Sequence, residues 1–449
     1  MSKKPLLLLI NPWIADFAAH DLWTKPMGLL ILASLLRDDD CGVAFIDCLD
    51  RHDPFTIRHP DVISGRDRKF GTGKFPRMRL PRPEPYSDFP RYYYRHGIHP
   101  DSLREKIRAV GKPDLIWVTS IMTYWYPGVQ DTIRIVREEF PDVPVWLGGI
   151  YAKLCPEHAR KASGADRIVT EPVSDLPDLL CAQTGFSVRN REAWADFRQW
   201  PTPALDLLPR LDYAPLLTGI GCPFRCPYCA SGRLQPERRR HDAERIHEEV
   251  VRAHEKFGVV DFAFYDDALL LDAETTLRPA LERLIREGPR VRFHVPNALH
   301  IRALSPQWCE LLHEAGFRTI RLGLETTVDR KSREWGNKVD TEMYLKCIEN
   351  LFSAGFEPGD IGVYLLCGLP GQVPAEVAEA VQIVKASGVR PRIAEYSPIP
   401  GTPMWEQGIA VSSFDLAGEP LYHNNSFFAC RRPDFTYEDM LILKKLSEQ

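Results

Sequence analysis

The sequence predicts an α/β protein in two parts: an N-terminal doubly wound parallel sheet, then a (β/α)6 partial barrel. Three observations carry this. Short β-rich apolar runs alternate with helical patterns, and they do so in two separate series along the chain. The 449 residues suit two to three domains. A composition of 44% hydrophobic and 26% charged residues is that of an ordinary core-forming chain. A formal net charge of −4 and a pI near 6.4 argue against a generally basic nucleic-acid binder, while leaving room for a local basic patch.

In the first series, residues 6–10, 43–47, 115–119, 145–147 and 167–169 read as strands, and 27–37, 127–140 and 156–162 as the helices between them. Residues 6–10 follow Lys3 and Lys4 as a signal sequence would, but the apolar run ends at Asn11-Pro12, too soon for one. It reads as a buried strand. No stretch approaches membrane-spanning length, so a cytoplasmic location is expected. This doubly wound domain is placed at 1–185, with ligands expected at the carboxyl ends of its strands.

Residues 51–100 interrupt the alternation with many prolines and no clear period. Between Gly65 and Gly97 nine Arg or Lys residues face Asp67, Glu84 and Asp88, a net of 9 − 3 = +6. The cluster from Arg91 to His96 suits an anionic or aromatic partner; an insertion packed over the sheet edge accounts for it equally well.

Residues 186–214, with Trp194, Trp200 and three prolines, read as an ordered linker. From 215 to 410 the second series places strands at 216–219, 260–265, 291–295, 319–322, 361–365 and 392–395. Helical patterns include 243–257, 341–354 and 374–387. Six strand–helix repeats make a partial barrel whose active site lies at the strand carboxyl ends. Residues 411–449 are a C-terminal extension of mixed character.

Eleven cysteines occur, most of them singly inside apolar runs, as small buried hydrophobes in a reducing compartment do. Only Cys222, Cys226 and Cys229 have ligand spacing. Their C-x3-C-x2-C loop follows the first barrel strand, at the face where the active site is expected. Three soft thiolates select an iron–sulfur cluster, zinc or copper(I), and they leave one coordination position open. The alternative is a structural zinc loop completed by His241 or Cys309, but no second ligand pair stands at zinc-like spacing.

Residues 215–405 resemble the radical S-adenosylmethionine (SAM) superfamily, which carries this cysteine signature after the first barrel strand. The resemblance implies that the three cysteines hold a 4Fe–4S cluster that cleaves SAM reductively to a 5′-deoxyadenosyl radical. It also implies cofactor contacts. Tyr228 would border the adenine, and Asp266 and Asp267 at the second strand end would meet the SAM amino group. Glu325 at the fourth would bind the ribose, and Gly368 lies in the loop after the fifth. Against each stands a structural role: a helix cap for Asp266 or Asp267, a helix start for Glu325, packing for Tyr228. His294 and His300 read as structural histidines, although Asn297 and His300 lie just past the third strand.

The two-part architecture resembles the class with an N-terminal cobalamin-binding domain. Asn11-Pro12, Thr119-Ser120 and Leu147-Gly148-Gly149 stand at strand ends, and the resemblance implies that Ser120, Gly148 and Gly149 line cobalamin. Small residues are needed where a large ring nears the backbone; a tight strand-to-helix turn also explains the glycines. The D-x-H-x-x-G segment that supplies a lower cobalt ligand is absent, and His20 fits no such pattern. Either cobalamin binds without a protein histidine, or the domain is a platform for substrate or partner.

The expected function is therefore a radical SAM enzyme, cobalamin-linked, for C-methylation or rearrangement of a small molecule or peptide. Flavodoxin or ferredoxin is the expected electron donor. Two alternatives are an RNA methylthiotransferase and a non-catalytic iron–sulfur or cobalamin module. The first needs a second three-cysteine set, which Cys41, Cys48, Cys155 and Cys181 do not form. The second would not need carboxylates at the barrel strand ends. No catalytic residue is singled out.

Overall fold

Leu7, Leu8, Leu9 and Ile10 are completely buried, as a strand covered on both faces requires. They form the middle of β1 (Leu6–Asn11). It pairs in parallel with β2 (Gly42–Asp47) on one side and β3 (Leu115–Val118) on the other. Beyond β3 lie β4 (Val145–Leu147) and β5 (Arg167–Ile168), giving the order β5-β4-β3-β1-β2. The order reverses between β1 and β3. In doubly wound sheets this switch point opens the crevice that holds ligands.

The computed structural model describes residues 4–336 and 339–449. They fall into two compact units. One runs to Asp212 and includes Gly418–Leu421; the other comprises Tyr213–Ala417 and Tyr422–Gln449. Residues 186–212 belong to the first unit, where the buried Trp194 donates from its indole to Asp39 at 2.9 Å. Among the described residues no helix is long and apolar enough to cross a membrane.

The segment read as patternless is ordered into short antiparallel pieces. Ile14–Asp16, Tyr93–His96 and Arg77–Leu80 form one three-stranded sheet; His20–Asp21, Gly73–Lys74 and Arg66–Asp67 form another. Strands of two to four residues are too short to show a period. Phe17, Tyr86, Phe89 and Tyr93 pack their rings together, with Phe17 4.7 Å from Tyr86 and 4.8 Å from Phe89. Much of the aromatic content is therefore a small core. Within the Arg91–His96 cluster only Tyr92 is well exposed among the tyrosines, whereas Tyr93 and His96 are buried.

The second unit is built on six parallel strands in sequence order: β6 (Ala214–Leu216), β7 (Asp261–Phe264), β8 (Arg292–His294), β9 (Phe317–Glu325), β10 (Ile361–Cys367) and β11 (Arg390–Glu395). The first strand ends earlier than the 216–219 reading. After Leu216 the chain leaves the sheet, and Gly219–Ile220 pairs antiparallel with Arg239–Arg240. The cysteine loop is thus held at the tip of a two-stranded ribbon.

Helix boundaries follow local chemistry. Asp242 caps the helix Ala243–Phe257 by accepting from the Arg245 amide at 2.8 Å, and Gly258 ends it in a left-handed conformation. Asp340 caps Thr341–Ser353 in the same way. The extension beyond 410 ends in a helix, Tyr437–Glu448, opened by a Thr436/Asp439 capping box and packed on the helix Pro374–Ala386 and on β11.

Candidate active site at the strand ends

The cysteine loop is tied down along its length. The Cys229 amide donates to the Cys226 carbonyl at 3.1 Å, and the Met404 amide, past β11, donates to the Pro227 carbonyl at 2.8 Å. Cys226 is buried, Cys222 half-buried and Cys229 exposed. The Ser231 amide donates to the Cys229 sulfur at 3.4 Å, and the Cys229 thiol donates to the Ser231 hydroxyl at 3.3 Å. A backbone donor aimed at sulfur stabilises its anionic, ligating form.

Three strand ends reach this loop. From β9, Glu325 meets Tyr228: the tyrosine hydroxyl is hydrogen-bonded to Glu325 and to Cys226. Burial and the neighbouring Glu325 charge push the Tyr228 hydroxyl well above its usual range, so it stays protonated and able to donate. Glu325 itself has φ 69°, left-handed for a residue with a side chain, at a register shift between β9 and β10. Such a conformation costs on the order of 1–3 kcal/mol and is retained where it aims a side chain. From β7, Asp267 is exposed and hydrogen-bonded to Ser231, with its carboxyl raised by surrounding protein. From the loop after β8, His300 lays its ring on Phe224, inside the cysteine loop, with centroids 4.2 Å apart.

Asp266 does something different from its neighbour. It is buried, accepting from the Thr218 hydroxyl at 2.7 Å, the Thr218 amide at 3.0 Å and the Arg240 guanidinium at 3.2 Å. Its carboxylate braces the ribbon that carries the cysteine loop. Burial pushes it up to about 6, partly offset by Arg240 and Thr218. A second buried carboxylate, Glu249, is pushed up to about 7 by burial, with the Asp266 charge adding to the rise. Asn297 joins β7 to β8 by donating to the carbonyls of Tyr265 and Asp266, and His294 is satisfied by Asp261 and Thr319.

Gly368 sits against the core. Its amide donates to Gln372 at 2.8 Å, and a Cβ there would lie 2.5 Å from the Phe428 ring. Cys309 is buried in a helix, its thiol pushed up to about 12 by burial. Among the described residues no three His, Cys, Asp or Glu side chains are grouped as they stand to hold a metal ion. Three thiolates on one short loop are the ligand type that an iron–sulfur cluster takes.

In the first unit, the carboxyl edge of the sheet is braced in the same manner. Asn11 at the end of β1 donates to Asp47 at the end of β2 at 2.8 Å. The Ser120 hydroxyl donates to the Gly148 carbonyl at 2.6 Å. Gly149 has φ 92°, and a Cβ on it would come within 2.1 Å of the Ser120 carbonyl, so only glycine closes the β3 and β4 loops together. On the loops leaving β1 and β3, at the switch point, Leu22 and Met122 are 50% and 41% exposed.

Residues 216–384 match the model of the radical SAM superfamily, and residues 91–180 that of the B12 binding domain. The chain is a radical SAM enzyme with a B12-binding domain. An uncharacterized methyltransferase of Pyrococcus horikoshii is 25% identical over 327 residues, 66% of this chain and 70% of that protein. The hopanoid C-2 methylase of Rhodopseudomonas palustris is 25% identical over 324 residues, 68% of this chain and 60% of that one. Among solved structures, the radical SAM methyltransferase TsrM from Kitasatospora setae, with cobalamin and a [4Fe-4S] cluster bound, has TM-score 0.66 at 18% identity, covering 92% of this chain and 76% of its own. The cobalamin-dependent radical SAM enzyme OxsB, with aqua-cobalamin and SAM bound, has TM-score 0.58 at 14% identity, covering 99% and 62%. These two likenesses are ones of fold.

Thr218, Arg240, Ser231 and Glu249 are the site residues that sequence reading missed. Arg240 lay in plain view in the run Arg238-Arg239-Arg240, but only the ribbon pairing turns it toward Asp266.

Proposed function

We propose that this radical SAM enzyme is a cobalamin-dependent methyltransferase acting on a small molecule. The observation that carries the proposal is the pairing, in one chain, of the braced three-cysteine loop of a radical SAM domain with a B12-binding domain whose strand ends bear Ser120, Gly148 and Gly149. When bound, the cluster supplies the electron that cleaves SAM, and cobalamin supplies a carrier for the methyl group.

The chain's own residues then have separable tasks. Cys222, Cys226 and Cys229 ligate the cluster, and Ser231 stabilises the third thiolate. Asp267 accepts from the SAM amino group, and Glu325 from the ribose hydroxyls, as charge-assisted hydrogen bonds. Tyr228 orients Glu325 and covers the adenine. Asp266 holds the loop in place without touching SAM. Gly368 supports the loop after β10 through its packing on Phe428. The relatives named as methylases, together with TsrM, whose structure was solved with tryptophan bound, favour a small-molecule substrate and methylation over rearrangement. A flavodoxin or ferredoxin is the fitting electron donor.

The test is reconstitution of the full chain with iron, sulfide and hydroxocobalamin under anaerobic conditions, then addition of SAM and reductant. Bound cobalamin, cluster absorbance and reduction-dependent consumption of SAM are expected, and Cys222→Ala/Cys226→Ala/Cys229→Ala should lose the last two while keeping cobalamin. A wild-type protein with a full cluster and no SAM consumption would instead be an electron carrier.

A further inference from the structure

Among the described residues, no carboxylate pairs with Arg68, Lys74 or Arg77 of the basic insertion, whereas Arg95 is held by Asp131 at 2.5 Å. His20 is paired across the ladder with Lys74, and Lys74 in turn with Arg66. In the adjoining sheet Arg77 lies directly opposite His96. Arg68, Lys74 and Arg77 all act on His20, whose imidazole is held below its ordinary value by burial and then by these three cations. His96 is likewise depressed to about 4, by burial first, with Arg77 and His20 adding.

The nearby carboxylates are already taken. Asp21, Asp67 and Asp212 converge on the buried Arg51, which also donates to the Gly71 carbonyl at 2.6 Å. Asp16 accepts from the Trp125 indole at 2.8 Å and the Phe17 amide at 2.6 Å. Among the described residues none of Arg68, Lys74 and Arg77 forms an ion pair.

Two polar atoms beneath this cluster are buried and orphaned: Nε of Arg77 and Nδ1 of His96. His96 is 1% exposed, and its other nitrogen is bonded to the Asp16 carbonyl at 3.3 Å. The two orphans belong to residues facing each other across the ladder, where side chains stand about 5 Å apart. The Arg77 guanidinium is stacked 4.7 Å over the Tyr94 ring, which leaves its edge free to bind. Because Nε2 of His96 donates to the Asp16 carbonyl, its Nδ1 is a lone-pair acceptor; the buried Nε of Arg77 is the donor left without a partner, amid like charges that nothing described compensates. The turn bearing Arg68 is rigid, closed by the Arg68 amide on the Thr72 carbonyl at 2.8 Å and by the Trp23 indole on the Phe70 carbonyl at 3.1 Å.

We propose that Arg68, Lys74 and Arg77, with His20 beside them, form a binding site for a phosphate-ester oxyanion. Three permanent cations offer more donors, from more directions, than a single planar carboxylate can accept, and a tetrahedral phosphoryl group takes them. The group has two sources: a phosphorylated substrate, or the phosphodiester in the nucleotide tail of cobalamin. Assigning it to the substrate rests on the methyltransferase reading above. The site itself does not.

Calorimetric titration of the full-length protein, reconstituted with iron and sulfide and free of cobalamin, with methyl phosphate tests the site. Saturable binding is expected, weakened at least tenfold in Arg68→Gln/Lys74→Gln, whose positions lie at the surface, and unchanged in the remote pair Arg252→Gln/Arg286→Gln. Absence of binding, or equal binding by both double variants at unchanged melting temperature, overturns the proposal. Retention of hydroxocobalamin and of cobinamide, which lacks the phosphate, identifies the source. If Arg68→Gln/Lys74→Gln loses only hydroxocobalamin, the tail phosphate is the ligand; if it keeps both while methyl phosphate binding falls, the ligand is the substrate's. Intact methyl phosphate binding in a protein that does not consume SAM would count against the methyltransferase reading and leave the site standing.

Discussion

The Thr218 hydroxyl donates to the buried carboxylate of Asp266 at 2.7 Å, clamping the ribbon that bears the cysteine loop onto the end of β7. Asp266 and Asp267, adjacent in sequence, thereby acquire different work, because successive residues at a strand end point to opposite sides. Asp266→Asn keeps the shape but surrenders the charge-assisted bond to Arg240. It is expected to lower the iron retained per chain and to speed cluster loss in air. Asp267→Asn should leave the iron content unchanged and raise the KM for SAM about tenfold or more, the worth of one charge-assisted hydrogen bond. Iron analysis with SAM-saturation kinetics on both variants checks the division; equal cluster loss in the two would refute it.

Glu325 trades stability for aim. Glu325→Gly and Glu325→Ala both lose the bond to Tyr228 and the proposed contact to SAM; only the glycine also relieves the left-handed strain, so it should be the more stable of the two by about 1 kcal/mol. Glu325→Gln keeps the strain and should weaken SAM binding alone. Denaturant unfolding set beside SAM affinity separates the effects. A glycine variant less stable than the alanine one would show that the conformation is not strained.

Glu249 gives a pH signature whose sign follows from its raised value. A carboxyl at about 7 in the folded chain, against an ordinary value near 4.5 unfolded, favours folding while protonated, below about 4.5. Stability falls as pH rises from there through about 7, and the penalty is complete at pH 8. Glu249→Gln should therefore stabilise the protein at pH 8, on the order of 1–3 kcal/mol, with the gain fading toward pH 5. Urea midpoints measured across that range report it, and a pH-independent difference would rule out the buried ionisation.

Gly149→Ala forces a Cβ into the Ser120 carbonyl at a backbone angle that side chains avoid. A loss of about 2 kcal/mol or more is expected, with cobalamin retention falling alongside. Ser120→Ala loses the hydroxyl's bond to the Gly148 carbonyl and a longer one from the Ala152 amide at 3.4 Å, and should cost less, about 1 kcal/mol. Melting temperatures and the cobalamin absorbance of the purified variants measure both.

Gly368 and Phe428 should behave as a coupled pair. Gly368→Ala clashes with the ring, while Phe428→Leu withdraws the ring edge. In a double-mutant cycle the two should compensate by about 1 kcal/mol or more; strict additivity would mean that the clash is relieved elsewhere.

The amino-acid sequence by itself determined the two alternating series, the place of the cysteine loop with its Tyr228 after the first barrel strand, and the strand-end positions of Asp267, Glu325, Gly148 and Gly149. These depend on local periodicity and spacing, which a linear chain displays. Tertiary structure alone decided what each strand-end group touches. It turned Asp266 inward to Thr218 and Arg240, set Gly368 against Phe428 from the C-terminal extension, and left Arg77 and His96 facing each other with unpaired nitrogens. It also found order in residues 51–100, where strands of two to four residues carry no legible period. The reason is common to all of these: a hydrogen-bond partner or a burial cost is fixed by residues distant along the chain, and only folding brings them within reach.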